Sequence, residues 1–321
     1  MRRAALAAGV LVLAGAALLA WLLVPYGSAS ELAEDTPYMV PPGATLTSVT
    51  RDLSERGVIG DADAMLLRAR LLAGNAPIRA GEFLLPAGAS YRQIVEVLQS
   101  GEAIRRSVTI PEGLPAVLVQ ERLMAEPLLT GEVGVPPEGS VLPETYDFER
   151  GESRQAVLVR MQAAMDEAVA ELWPGRSGRS AAGTPQEAVI LASLVEKETA
   201  KPEERRMIAG VMSNRLERGM RLDIDATTIY PITQGRPLGR MIRRSELDDP
   251  NPYNTRAVVG LPPGPITNPG RESIAAVLNP AETNALYYVA DGSGGHAFAR
   301  TYAEHLANVT RWRAFREREG I

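Results

Sequence analysis

The stretch TPQEAVILASLVEKET, residues 184–199, sets the reading of the whole chain. Thr184 is a capping residue, Pro185 suits the first helical position and Glu187 falls third, the sequence form of a capping box, so a helix begins here. At about 100° per residue, Ile190, Leu191, Leu194 and Val195 form one apolar stripe. Glu198 falls in that stripe one turn further on, whereas Glu196 projects to the opposite side. A carboxyl group at the end of a buried face is partly desolvated, which raises its pKa and lets it serve as a general acid near neutral pH. The same pattern also admits a structural carboxylate paired with Arg205 or Arg206.

Working outward, residues 174–183 are rich in Gly, Ser and Arg and read as a linker, a boundary or at least a mobile loop. Before them, a helix over 153–172 carries Val157, Val159, Met161, Met165 and Val169, and residues 131–140 are loop. Earlier still, a strand over 107–110 leads through Pro111-Glu112-Gly113-Leu114-Pro115 into a helix near Ala116. Tyr38 to Val40 reads as a short strand, and the turn Pro41-Pro42-Gly43 leads to an amphipathic segment with Leu46, Val49, Leu53 and Val58. A second helix over 61–73, a strand over 78–85 and a helix capped by Ser90 follow. The order strand, helix, helix, strand resembles a LysM-like module, and a generic α+β spacer has the same order.

Arg2 and Arg3 precede an apolar run over residues 4–24, about 21 residues, enough at ~1.5 Å each to cross a ~30 Å hydrocarbon layer. Trp21 and Tyr26 are expected near the far interface, and Glu31, Glu34 and Asp35 follow. The positive-inside bias then keeps the N-terminus in the cytoplasm and exports the rest. The run exceeds a signal-peptide h-region and lacks a clear small-residue cleavage site, which favours an anchor over a cleaved leader.

The chain has 34 Lys and Arg against 39 Asp and Glu, a net charge of −5, with no basic footprint for nucleic acid. It contains no cysteine, which excludes disulfides, thiol nucleophiles and thiolate metal sites. His296 and His305 are the only histidines, which argues against a structural zinc site; no metal and no cofactor are expected.

Leu191-Ala192-Ser193-Leu194-Val195-Glu196-Lys197-Glu198-Thr199 resembles the signature of MltG-type (YceG-like) endolytic murein transglycosylases. Behind it stand Asn214-Arg215-Leu216, Gly219-Met220-Arg221-Leu222, Asp225-Ala226-Thr227-Thr228-Ile229-Tyr230 and Pro252-Tyr253-Asn254-Thr255. Gly260-Leu261-Pro262-Pro263-Gly264-Pro265-Ile266, Asn268-Pro269-Gly270, Asn279-Pro280 and Gly294-Gly295-His296 complete the series in the family's order. Ala226 and Pro231 depart from the family's usual proline and glycine. The resemblance implies cleavage of the MurNAc-GlcNAc β-1,4 bond with 1,6-anhydroMurNAc ends, and termination of nascent strands. It implies Glu198 as acid and base, with Glu196 as the alternative. Asp225, Thr227, Tyr230, Tyr253, Asn254 and His296 are the substrate-binding candidates, each with an ordinary structural reading beside it.

The expected architecture is α+β: a transmembrane helix (1–26), a spacer (27–35), a LysM-like βααβ module (36–102) and an α+β catalytic region (103–321) with core motifs at 184–305. Expected partners are peptidoglycan glycan strands, the membrane, and a peptidoglycan synthase or division or elongation protein. Two other readings stay open: a non-catalytic peptidoglycan-binding scaffold, and a lysozyme-type hydrolase using Asp223 or Asp225 as second carboxylate.

Overall fold

The structure, a computed structural model, describes residues 2–73 and 76–320. Met1, Gly74, Asn75 and Ile321, with the side chains of residues 2–5, 7 and 8, lie outside that description, and the Arg2 and Arg3 charges that orient the apolar helix are among them. The chain is mixed α and β and divides into two units at Arg106/Ser107, four residues beyond the boundary expected from sequence.

Unit 1 begins with α1 (Arg2–Gly27), whose segment Gly9–Gly27 is long and apolar enough to cross a membrane. It continues through β1 (Thr36–Val40), α2 (Leu46–Glu55), α3 (Ala62–Leu72), β2 (Gly81–Leu85) and α4 (Tyr91–Ser100). The strands pair antiparallel, Tyr38 opposite Phe83 and Val40 opposite Gly81. Alternation along β1 turns Tyr38 and Val40 inward, where they meet Leu53, Phe83, Tyr91, Ile94 and Leu98 in a closed apolar core. Local chemistry fixes the helix starts: Thr45, Asp61 and Ser90 each accept a backbone N–H of the first turn.

Two expectations for this region change. Tyr26 is buried edge-on against Tyr91, 5.7 Å between ring centres, so it belongs to the core and not to a membrane interface. The spacer is laid along the unit: Ser30 N–H donates to the Ala89 carbonyl, Glu31 N–H to that of Val58, and the Leu32 carbonyl accepts from Gly88 N–H. Its polarity suits a surface strand of chain as well as a free tether, and backbone pairing decides between them.

Unit 2 begins at the second residue of β3 (Arg106–Thr109) and carries α5 (Ala116–Ala125), β4 (Thr145–Phe148), α6 (Arg154–Leu172), α7 (Pro185–Glu198), α8 (Pro202–Glu217), α9 (Asp225–Thr233) and α10 (Arg244–Leu247). It ends with α11 (Arg271–Leu278), β5 (Tyr287–Ala290), β6 (His296–Ala299) and α12 (Tyr302–Glu319). β3 pairs with β4 and β5 with β6, so each sheet is a two-stranded ribbon over a helical core. Residues 174–183 are not a boundary. A 3₁₀ turn opens them, Ser177 N–H donates to the Leu278 carbonyl, the Arg176 guanidinium to the Ala182 carbonyl, and Ala182 is fully buried.

Helix α7 is central, with α6, α8, α9 and α11 around it. Thr184 caps it as expected, but Glu187 closes on the Gly183 N–H and not on that of Thr184. Every residue from Ala188 to Val195 is buried, so this stretch has no solvent face and no single stripe, and only Pro185, Gln186 and Lys197 at the helix ends are exposed. The expectation that Glu196 projects away from the interior therefore fails: both glutamates lie in packed surroundings, and their neighbours distinguish them.

Candidate active site

Glu196 is built into the scaffold. Its Oε2 accepts from Gly270 N–H at 3.0 Å and from Ser273 Oγ at 2.7 Å, placing a carboxylate at the N-terminus of α11. Its Oε1 lies 3.7 Å from Arg205, whose guanidinium also reaches Glu112 at 2.5 Å. A Cβ on Gly270 would sit 2.0 Å from the Glu112 carboxylate, so this knot requires glycine there. The structural reading offered for Glu198, an ion pair with Arg205, belongs instead to Glu196, and Arg206 binds the Asn279 carbonyl.

Glu198 ends α7. Its Oε2 accepts the Tyr288 hydroxyl at 2.8 Å. Burial raises its pKa, and the Tyr288 hydrogen bond, the nearby His296 and Arg215 only partly oppose this, while Asp225 pushes it further up. Such an environment favours the protonated form of the carboxyl, and Tyr288 is positioned to stabilise the anion once the proton has left. Burial and the adjacent carboxylate hold the Tyr288 phenol itself well above its ordinary value, so it remains a donor.

Tyr288 is held by the β5–β6 hairpin. His296 lies diagonally across the ribbon, its ring edge-on to Tyr288 at 5.4 Å. Its Nδ1 and backbone N–H lie 2.7 and 2.8 Å from Glu204, to which Thr199 Oγ1 also donates. Burial alone would raise the Glu204 pKa; these hydrogen bonds outweigh it and hold the carboxyl below the usual range, so Nδ1 is the donor. Gly294-Gly295 makes the approach possible: Gly294 has φ +80°, and a Cβ on Gly295 would fall 2.4 Å from Glu204 Oε1. His296 thus reaches Glu198 through Tyr288.

The other candidates divide. Asp225 is exposed at the start of α9, caps nothing and pairs with Arg256 at 2.8 Å. Asp223 has φ +58° and lies 3.3 Å from Arg215, which is buried and donates to the carbonyls of Leu286, Arg221 and Leu222. Thr227 is fully buried, with its hydroxyl on the Ile224 carbonyl and Thr255. Asn254 is buried too: it donates to the carbonyls of Glu246, Leu247 and Asp249 and accepts from Thr228 and from Arg256 N–H. Thr227 and Asn254 therefore shape loops and face no solvent. Tyr230 and Tyr253 are half-buried with ring centres 5.0 Å apart, and Gly264 leaves room for the Tyr253 hydroxyl. Tyr230 bonds to Glu138, a carboxyl that burial raises against hydrogen bonds from Ala116 N–H and Tyr230. His305 stacks on Tyr287 at 5.3 Å.

Tyr288, Glu204, Arg215 and Glu138 are absent from the candidates read from sequence. Tyr288 stands 90 residues beyond Glu198 in an ordinary strand pattern, which gives no local sign of its partner. Among the described residues no group of three or more His, Asp or Glu side chains forms a metal site.

The sequence model of the YceG-like family matches residues 38–311. The endolytic murein transglycosylase of Streptococcus pneumoniae serotype 2 (strain D39) is 35% identical over 178 residues, covering 54% of this chain and 31% of that protein. The endolytic murein transglycosylase of Bacillus subtilis (strain 168) is 31% identical over 170 residues, 53% of this chain and 46% of that protein. The matched part thus spans about a third to a half of the length of these curated relatives. The crystal structure of a putative yceG-like protein from Listeria monocytogenes is similar at a TM-score of 0.55 and 25% identity, over 85% of this chain and 98% of that one.

Proposed function

This chain belongs to the YceG-like family, and from that premise we propose that it is a membrane-anchored peptidoglycan lytic transglycosylase with Glu198 as its single acid and base. The observation that carries the reading is the carboxyl of Glu198, whose pKa desolvation raises and which accepts the Tyr288 hydroxyl. Glu198 donates its proton to the departing GlcNAc oxygen of the MurNAc-GlcNAc β-1,4 bond. Tyr288 and Arg215 then favour the carboxylate that remains. The oxocarbenium-like centre is attacked by the C6 hydroxyl of the same MurNAc, whose proton Glu198 accepts, and a 1,6-anhydroMurNAc end results without water.

Intramolecular attack has a large effective molarity, so no second protein carboxylate is needed. A hydrolase would need one to activate water or form a covalent adduct. Asp223 and Asp225 are both engaged by arginines, which favours the transglycosylase reading. The groups open to substrate in this scheme are Asp225, Tyr230 and Tyr253; Thr227, Asn254 and His296 position them or Tyr288.

In the same reading α1 is a single-pass anchor with its N-terminus inside. The β1-α2-α3-β2 order of unit 1 is a LysM-like glycan-binding module, and the activity ends nascent strands beside a synthase or a division or elongation protein. Mass spectrometry of muropeptides released from purified sacculi tests the chemistry. The wild-type protein should release 1,6-anhydro ends and Glu198→Gln essentially none, a loss of at least the ~10²–10⁴ of acid-base catalysis. Reducing-end muramic acid from the wild type would replace this reading with the hydrolase.

A further inference from the structure

Two features of unit 1 have no part in the chemistry at Glu198. The first is the end of α1. Pro25 has no N–H, so the carbonyl one turn earlier, that of Trp21, loses its helical partner. Arg68 of α3 supplies one: its Nε and Nη2 lie 3.1 and 3.0 Å from that oxygen, and its guanidinium 4.3 Å from the Trp21 ring centre. Arg68 is only 4% exposed. A carbonyl freed at the edge of a hydrocarbon layer has to be satisfied by the protein itself. With Tyr26 in the core one turn later, α1 enters unit 1 as a packed element and not through a flexible joint.

The second feature is the outer face of α3. Leu67, Leu71 and Leu72 are 46%, 62% and 39% exposed, with Leu67 and Leu71 one turn apart on the same face. Asp63, a turn earlier on that face, ends the apolar strip, and exposed Arg70 flanks it, reaching Thr47 at 3.4 Å. Single exposed leucines need no explanation. These three stand together on the helix that grips the end of the apolar α1, whose Trp21, Leu23 and Val24 are also exposed.

We propose that α3 is an interfacial membrane helix that immerses Leu67, Leu71 and Leu72 in the headgroup–acyl boundary of the bilayer crossed by α1. Lipid is the occupant because the leucines continue the apolar surface of α1 through the Arg68–Trp21 contact. Arg70 carries its charge toward lipid phosphate while its stem lies along the apolar boundary. The proposal rests on the reading of α1 as a membrane span. It fixes unit 1 against the membrane surface and gives the anchor a defined exit.

The absence of cysteine allows a direct test. The full chain with Leu71→Cys, labelled with a polarity-sensitive dye, is reconstituted into phosphatidylethanolamine and phosphatidylglycerol vesicles carrying nitroxide lipids, spin-labelled either at the headgroup or deep in the acyl chain. Leu13→Cys in α1, labelled in the same way, reports the span. The dye at residue 71 should be shielded from aqueous iodide and quenched severalfold more by the headgroup nitroxide than by the deep one. The dye at residue 13 should show the reverse preference. If position 13 is quenched by lipid while position 71 is open to iodide, the interfacial role of α3 is overturned and the anchor stands. A dry but unquenched position 71, as under a protein partner, overturns it too. If position 13 escapes both nitroxides, the anchor fails and the α3 proposal with it.

Discussion

Glu196 and Glu198 are two residues apart on α7, and their surroundings favour opposite charge states. Gly270 N–H, Ser273 and Arg205 all favour an ionised Glu196. Desolvation favours a neutral Glu198. Glu196→Gln should lower stability by about 1–3 kcal/mol while leaving turnover per folded molecule largely intact, as thermal melts and initial rates on sacculi would register. Glu198→Gln should do the reverse, and pH sharpens the contrast. The folded pKa of Glu198 is raised, so above the unfolded value of about 4.3 the native state holds a proton that the unfolded chain has lost. Wild-type stability therefore falls as pH rises through that window toward the folded pKa, and the glutamine variant does not share this loss. Its melting temperature should gain on wild type from pH 4 to pH 7; a gain in the opposite direction would contradict the buried acid. Tyr288→Phe removes a donor to the anion, so the Glu198 pKa should climb further. The alkaline limb of the rate profile should then move to higher pH while the rate drops by roughly tenfold, as a lost hydrogen bond to charge implies. Helical periodicity is local and placed Glu198 at the end of α7 among apolar neighbours, although the stripe from which it was read proves to be buried all round. It misplaced Glu196 because the facing residues, Gly270 and Ser273, lie more than 70 positions away.

At the scale of elements, capping chemistry was readable and packing partners were not. Thr184, Ser153, Ser90 and Asp61 start helices where side-chain acceptors meet free N–H groups, a rule confined to four residues. The polar stretch 174–183 has the composition of a linker, yet Ser177 pairs with the Leu278 carbonyl, about a hundred positions further on, which no local pattern announces. The β5–β6 hairpin shows how an element positions a distant group. Its turn is held by Asp291 Oδ1, which accepts from Ser293 N–H and Oγ, and Gly295 admits Glu204 beneath His296. Gly295→Ala would bring a methyl group to 2.4 Å from Glu204 Oε1 and 2.9 Å from Lys201 Nζ. Either the Glu204 carboxylate gives up its bonds to His296 or the hairpin shifts, at a cost of about 1–3 kcal/mol. Because Tyr288 rides on the same ribbon, kcat should fall severalfold more than the melting shift explains, with KM little changed. An unchanged kcat in a folded variant would show that the hairpin does not position Tyr288 for the reaction.

For the molecule as a whole, the two units have separate apolar cores: Tyr38, Leu53, Phe83 and Leu98 belong to the first, while the second holds one cluster around α7 and another with Ile110, Leu123, Phe148 and Met161. The groups to which the proposal assigns the chemistry, Glu198, Tyr288, Arg215, Glu204 and His296, all lie in the second unit, beyond Ser107. Hydrophobic burial is the dominant favourable term in folding, so a unit that closes its own core can fold without the other. A chain beginning at Ser107 should therefore melt cooperatively and cleave isolated glycan slowly, because its acid and the hairpin that holds Tyr288 are intact. It should bind sacculi less well, because the βααβ unit proposed to rest on the amino-sugar backbone is gone. Pull-down with sacculi and release of anhydro-muropeptides, measured side by side on the same preparations, separate the two roles. Equal pull-down with and without residues 36–102 would remove glycan binding from unit 1 while leaving Glu198 as the acid. A cooperative melt with no cleavage at all would mean that the second unit needs the first for chemistry as well as for binding.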